Sequence, residues 1–241
     1  MQGFSPLVVP DAQAVGRVGA ELVRNRLVSR HRLVTLLPTG STPLPLYAHL
    51  RRRHAEGGLP GRSLTALQLD EYLGLPADDP RSYRSFMRRE LGALAGTELR
   101  GPDAWAPDPA QAATDYERLI DDFGGVDLAL LGIGRNGHIA FNEPPARLAS
   151  RTHVAELADS TRRDAAGEFG ALATVPERAL TVGVDTIMAA SEVLLLACGA
   201  SKAAALKRML RKPLDPACPA SLLLAHPRVS VICDREAARL L

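Results

Sequence analysis

The sequence predicts an α/β fold: a doubly wound, mostly parallel sheet with helices on both faces, a Rossmann-like sandwich. Three observations carry this. Apolar runs of strand length recur at 33–37, 64–69, 126–133, 193–198 and 229–233. Stretches with apolar residues at helical spacing separate them. Four polar segments stand where apolar strands stop, the place where an open parallel sheet binds its ligands. They are Pro38-Thr39-Gly40-Ser41-Thr42-Pro43, Asp70-Glu71-Tyr72, Gly132 to His138 with Phe141-Asn142-Glu143-Pro144, and Gly199-Ala200-Ser201-Lys202. Each is expected to lead from a strand into a helix, and together they read as one active site.

The elements follow in order. Leu7-Val8-Val9 is a short strand, and Asp11 caps a helix to about Val28, with Val15, Val18, Leu22 and Val23 at helical spacing. Leu33 to Leu37 is a strand ended by Pro38, and Pro45 to His54 is a helix. Leu64 to Leu69 runs straight into Asp70. Ser82 caps a helix to Leu94. Gly96 to Pro109 holds three Pro and the one Trp and reads as a loop. Ala110 to Phe123 is helical, and Val126 to Ile133 is a buried strand. Pro144-Pro145 stops any long helix after the Gly-rich loop, and from Leu148 to Val175 no period dominates. Thr181 to Val184 marks a strand end, and Asp185 caps a helix to Ala190. Val193 to Cys198 is a buried strand, Ser201 to Arg211 a helix, and Val229 to Cys233 closes the sheet. Alternating strands and helices imply βαβ crossovers. Residues 1–241 are read as one domain.

Composition bounds the function. Hydrophobic residues make up 46% and aromatics 4%, so Leu, Val and Ala must fill the core. With 29 basic against 27 acidic residues, the charge argues against a nucleic-acid or membrane partner. Arg51-Arg52-Arg53 suits a helix C-terminus, where cations favour the dipole. Cys198, Cys218 and Cys233 form no CxxC pair, which fits a reducing, cytoplasmic setting. The N-terminus lacks the basic and apolar regions of a signal peptide, and no stretch approaches the ~18 apolar residues of a membrane span.

The strand-end segments carry the chemistry. Gly40 permits close backbone approach, and Ser41 and Thr42 add hydroxyls and amides entering a helix, an arrangement that suits an anion. The same residues also make an ordinary strand–helix turn. Lys202 stands in a first helical turn, against the dipole, and offers a cation to the same anion. Gly132, Gly134 and Gly137 match G-x-G-x-x-G. A dinucleotide site further requires a long helix and an acidic residue about 20 positions on, at a strand end. Pro144-Pro145 cuts the helix, and Glu156 and Asp159 fall in a polar region read as non-strand. His138 and Glu143 lie five apart. A His oriented by a carboxylate suits general acid–base work, and a surface His beside a helix-capping Glu is the plainer alternative. No HxxxH or Cys partner suggests zinc. Asp70, at a strand end, could take a proton next to a carbonyl or simply cap a helix.

Together these segments resemble the glucosamine-6-phosphate deaminase (isomerising) family. The resemblance rests on LPTGSTPLPLY at 37–47, LDEYLGL at 69–75, SYRSFM at 82–87, LLGIGRNGHIAFNEP at 130–144, LASRT at 148–152, ALTVGVDTIMAA at 179–190 and GASKAAAL at 199–206. It implies conversion of glucosamine 6-phosphate and water to fructose 6-phosphate and ammonia on a doubly wound sandwich, with no cofactor and no metal. It assigns proton shuttling to Asp70 and ring opening to His138, supported by Glu143 and Asn136. Gly40, Ser41, Thr42 and Lys202, read above as an anion site, are then expected to bind the substrate's phosphate. The partner is then a small sugar phosphate.

Two departures stand out. Where the family carries an arginine in an NSRFF-like stretch, this chain has Gly167. Either Arg162 or Arg163 reaches in, with Arg163 favoured because it lies closer along the chain, or the phosphate is held without it, or the substrate differs. His153 replaces a basic residue of the effector site in regulated members, and the chain lacks their longer tail. Regulation by N-acetylglucosamine 6-phosphate is therefore not expected. The sugar-phosphate lactonases share the fold and the Gly-rich loop but lack DEYLGL and GHIAFNEP. A non-catalytic sugar-phosphate sensor domain of a transcription regulator is a further alternative. It requires a helix-turn-helix ahead of the sheet, which begins here by Leu7.

Overall fold

The computed structural model describes residues 5–59, 63–94, 96–144, 149–211 and 213–241. Its strands are β1 (Leu7–Val9), β2 (Arg32–Leu37), β3 (Ser63–Gln68), β4 (Asp70–Tyr72), β5 (Thr97–Arg100), β6 (Leu128–Leu131), β7 (His153–Glu156), β8 (Arg178–Thr181), β9 (Val193–Ala197) and β10 (Val229–Asp234). Its helices are α1 (Ala12–Ser29), α2 (Leu44–Ala55), α3 (Tyr83–Leu91), α4 (Pro109–Asp122), α5 (Asp159–Phe169), α6 (Val184–Met188), α7 (Ala203–Met209) and α8 (Arg235–Ala238). Caps fall where short polar side chains precede helical runs: Asp11 accepts from Ala14 N, Ser82 from Ser85 N, and Asp108 from Ala110 N and Gln111 N.

Seven strands form one parallel sheet in the order β1-β10-β9-β6-β2-β3-β5. Along each strand successive side chains go to opposite faces. In β9, Val193, Leu195 and Ala197 pack with α4, α6, α7 and α8, while Leu194 and Leu196 pack with α1, α2 and α3. The sheet is thus covered on both faces, as its near-continuous apolar strands require. After β2 the chain builds outward through β3 and β5, then crosses back to lay β6 on the other side of β2. That reversal parts the connections leaving β2 and β6 and opens a crevice at their carboxyl ends.

A second, antiparallel sheet, β4-β8-β7, sits over this edge, with Asp70 opposite Thr181 and Glu71 opposite Leu180. It corrects the expectation that Asp70-Glu71-Tyr72 leads into a helix: the segment is itself a strand. It also gives structure to the stretch without a dominant period, which contains β7 and α5. Glu156, read as non-strand, ends β7, and the adjacent strand is antiparallel, so no dinucleotide-type unit follows the glycines. Thr97 to Arg100, read as loop, pairs with β3 as an edge strand. Gly183, not Asp185, is the N-cap of α6. Pro145 and Leu148 lie outside the described residues. Arg52 and Arg53 do end α2, and Arg53 also binds Glu21 at 2.8 Å. Among the described residues no helix is long and apolar enough to cross a membrane.

Candidate active site

The crevice is a cleft open to solvent, with a volume of about 260 Å³. Gly40, Ser41, Thr42, Asp70, His138 and Lys202, contributed by four separate segments, all line it. Gly40 holds the turn after β2 with φ 87, a left-handed conformation that suits glycine. The turn carries the backbone past the cleft and into α2, which starts at Leu44.

Alternation along β4 separates two adjacent carboxylates. Asp70 and Tyr72 line the cleft, while Glu71 between them is fully buried and turned the other way. Glu71 accepts the backbone N–H groups of Tyr72 at 2.9 Å, Tyr83 at 2.9 Å and Arg84 at 2.7 Å. Burial raises its pKa, and these three bonds pull against that rise. Asp70 has no such support among the described residues. Burial, and then the neighbouring Glu71 charge, push its carboxyl up to about 8. It is a carboxyl held near neutral pH, the range in which a general base is effective. The Tyr83 hydroxyl donates to Tyr72 at 3.1 Å on the same wall.

The second group stands on the Gly-rich loop. His138 Nδ1 lies 3.2 Å from Glu143 Oε2, so the Nδ1–H donates to the carboxylate and Nε2 keeps its lone pair. The Glu143 carboxylate is itself surrounded by donors: Asn136 Nδ2 at 2.7 Å and Thr161 Oγ1 at 2.5 Å. Burial alone would raise Glu143, but His138, Thr161 and Asn136 outweigh it and hold the carboxyl below its usual range. Asn136 does not hold the imidazole itself. Its Oδ1 accepts the His138 backbone N–H at 3.1 Å, and its amide braces Glu143. Gly134 is required by close packing, because a Cβ there would stand 2.3 Å from His138 Cε1. Ala140, two residues past His138, lines the cleft at φ 48, a strained conformation for a residue with a Cβ.

Lys202 sits at the start of α7, half-buried, with its pKa lowered by burial. Arg163 is not brought to the cleft. It is exposed and lies 3.5 Å from Asp159 on its own helix. Arg162 turns to the other side of α5 and donates to Val175 O at 3.2 Å. The face of α5 toward the cleft carries Thr161, Asp164, Ala165 and Glu168, because those positions recur every three to four residues. Gly167 is exposed and is not part of the lining. Sequence reasoning missed Thr161, Tyr72, Tyr83 and the role of Glu71. Strand alternation through Asp70-Glu71-Tyr72 held the signal for Tyr72 and Glu71, whereas nothing local points to Thr161. Among the described residues no three His, Cys, Asp or Glu side chains group as a metal site.

Comparison with known proteins finds relatives in sequence and in fold. A family described as glucosamine-6-phosphate isomerases/6-phosphogluconolactonase matches residues 11–232. A glucosamine-6-phosphate deaminase of Arthrobacter sp. strain FB24 is 43% identical over 235 residues, 96% of this chain and 90% of the relative. One from Cutibacterium acnes is 44% identical over 235 residues with the same coverage. A solved monomeric glucosamine-6-phosphate deaminase superposes with a TM-score of 0.95 at 36% identity, covering 99% of this chain and 100% of that one. A 6-phosphogluconolactonase from Trypanosoma brucei superposes with a TM-score of 0.78 at 21% identity over 99% of this chain and all of its own, a likeness of fold.

Proposed function

The chain belongs to the glucosamine-6-phosphate isomerase/6-phosphogluconolactonase family, and we propose that Asp70 and His138 carry out its deaminase reaction in the cleft between β2 and β6. The enzyme converts glucosamine 6-phosphate and water to fructose 6-phosphate and ammonia. The observation that carries the assignment of residues is the pairing of two differently prepared groups on one cleft: Asp70, buried without donors among the described residues, and His138, oriented by Glu143.

His138, through Nε2, moves the proton that opens the pyranose ring. Glu143 holds the imidazole, with Asn136 and Thr161 holding Glu143. In the open chain the C1 aldehyde acidifies the C2 hydrogen. Ionised Asp70 takes that proton to give an enolamine, and the protonated carboxyl returns it at C1. The electron pair of the double bond forms the new C1–H bond, and the nitrogen lone pair makes a C2=N iminium. Water adds at C2, the C–N bond breaks, and ammonia leaves with the ketone in place. No redox change occurs: the C1 oxygen takes up one proton as the enolamine forms, and the water that adds at C2 loses two, one to the departing nitrogen and one that balances the first. Gly40, Ser41, Thr42 and Lys202 hold the phosphate. The three free thiols and a sugar-phosphate substrate fit work in the cytoplasm. Residues 1–241 act as one catalytic unit in this reading.

The test is direct. Purified protein incubated with glucosamine 6-phosphate should release ammonia and fructose 6-phosphate in equal amounts, while 6-phosphogluconolactone should be hydrolysed no faster than in buffer. Lactone hydrolysis without ammonia release would replace this reading by the lactonase one.

A further inference from the structure

A phosphate monoester carries close to two negative charges at neutral pH. Among the described residues that line the cleft, Asp70, Asp164 and Glu168 are acidic, and Lys202 is the sole Lys or Arg. One ammonium faces three carboxyl groups and an incoming dianion. A second cation is needed, and it stands at the rim. Arg135 follows Gly134 on the same loop as His138. Its side chain is 60% exposed, and its Nη1 donates to Asp164 Oδ1 at 2.7 Å. It has no place in the acid–base machinery. It is nevertheless near the phosphate end of the cleft: the Lys202 ammonium is shifted first by burial, then by Asp164 and by Arg135.

We propose that Arg135 is the second cation of the phosphate site, parked on Asp164 at the rim and taken over by the phosphate ester when it enters. This rests on the sugar-phosphate reading above. A guanidinium presents paired N–H donors that match two oxygens of a phosphate, whereas its bond to Asp164 uses one nitrogen, Nη1, on a partly exposed carboxylate. Such an exposed pair is weak, so exchanging it for a dianion also braced by Lys202 and the amides after Gly40 is favourable. The exchange frees Asp164 and draws the His138 loop toward the substrate from its Arg135 end.

The experiment measures inorganic phosphate binding by calorimetry, which needs no turnover, beside steady-state kinetics with glucosamine 6-phosphate. Arg135→Ala should weaken phosphate binding and raise KM by about 10- to 100-fold. Its kcat should change by less than about 3-fold, because the contact is made equally in ground and transition states. The pH profile of kcat should keep its shape, and Arg135→Lys should recover part of the binding. Asp164→Asn should tighten phosphate, since Arg135 no longer has to be released. Unchanged phosphate affinity in Arg135→Ala overturns the proposal. So does a fall in kcat at unchanged KM, which would mean that Arg135 merely shapes the loop. Weaker phosphate binding in Asp164→Asn overturns the exchange. Absence of ammonia release by the unaltered enzyme would instead count against the deaminase reading, and the calorimetric arm would still decide for or against Arg135.

Discussion

Glu71 accepts the backbone N–H of Tyr83 at 2.9 Å, twelve residues further along the chain. The bond ties β4 to the first turn of α3, and the same carboxylate binds Arg84 N. Glu71 is therefore the anchor that presents Asp70 and Tyr72 to the cleft. Glu71→Ala leaves three N–H groups without an acceptor in a buried place. Urea unfolding should show a loss on the order of 2–4 kcal/mol, and activity should fall because Asp70 rides on the same strand. Glu71→Gln, which keeps one acceptor oxygen, should fall between. Wild-type stability in Glu71→Ala would show that β4 is held by its pairing with β8 alone.

Asp70 sets a pH dependence with a definite sign. Its carboxyl is raised from 3.8 to about 8 by burial and by Glu71. The base form is the active one, so kcat/KM should rise with pH through about 8. Stability should move the other way. Between 3.8 and about 8 the folded chain holds a proton that the unfolded chain has released, so folding weakens as pH rises across that window, by roughly 1.4 kcal/mol for each full unit separating the two pKa values. Asp70→Asn should abolish deamination through kcat and should gain stability relative to wild type between pH 4 and 8. A variant that turns over normally, or whose stability tracks wild type across this range, removes Asp70 from the mechanism.

His138→Gln should slow turnover by roughly 10²–10⁴-fold, with a smaller effect on KM. Thr161→Val tests the layer behind it. The valine removes the 2.5 Å donor to Glu143 Oε1 and leaves that oxygen buried. The Glu143 pKa should rise and its hold on His138 should loosen, so kcat should fall while KM stays near wild type. A Thr161→Val enzyme with an unchanged kcat would show that Asn136 and His138 suffice to hold Glu143.

The parallel sheet and its loops were legible because their signals are local. Runs such as Leu33 to Leu37 are apolar on both faces, and Gly40 and Gly134 punctuate the strand ends. The second sheet was not, because its pairing is long-range: Glu71 opposite Leu180 and Val154 opposite Leu180 are joined only by the fold. Its strands are three or four residues long, too short to show a period. Asp70, His138, Glu143 and Lys202 were legible as site candidates through residue type at strand ends. Arg163 misled because nearness along the chain is not nearness on a helix. A helix turns about 100° per residue, which puts Arg162 about 100° and Arg163 about 200° from Thr161, off the face that carries Thr161, Asp164, Ala165 and Glu168.

The arginines of α5 and the lysine before α7 should therefore separate cleanly in kinetics. Lys202 lines the cleft, half-buried, where its bond to a dianion is poorly screened. Lys202→Ala should raise KM for glucosamine 6-phosphate by about tenfold or more, and glucosamine without the phosphate should be a far poorer substrate of either enzyme. Arg163→Ala removes an exposed i,i+4 pair with Asp159 and should change neither KM nor stability by a measurable amount. Arg162→Ala removes bonds to the carbonyls of Val175 and Leu172 and should lower thermal stability while leaving KM in place. A raised KM in Arg163→Ala would mean that α5 rotates or unwinds when substrate enters. If Lys202→Ala is silent and free glucosamine is turned over as well as its phosphate, the phosphate end of the cleft is misassigned while the Asp70 and His138 chemistry can still stand.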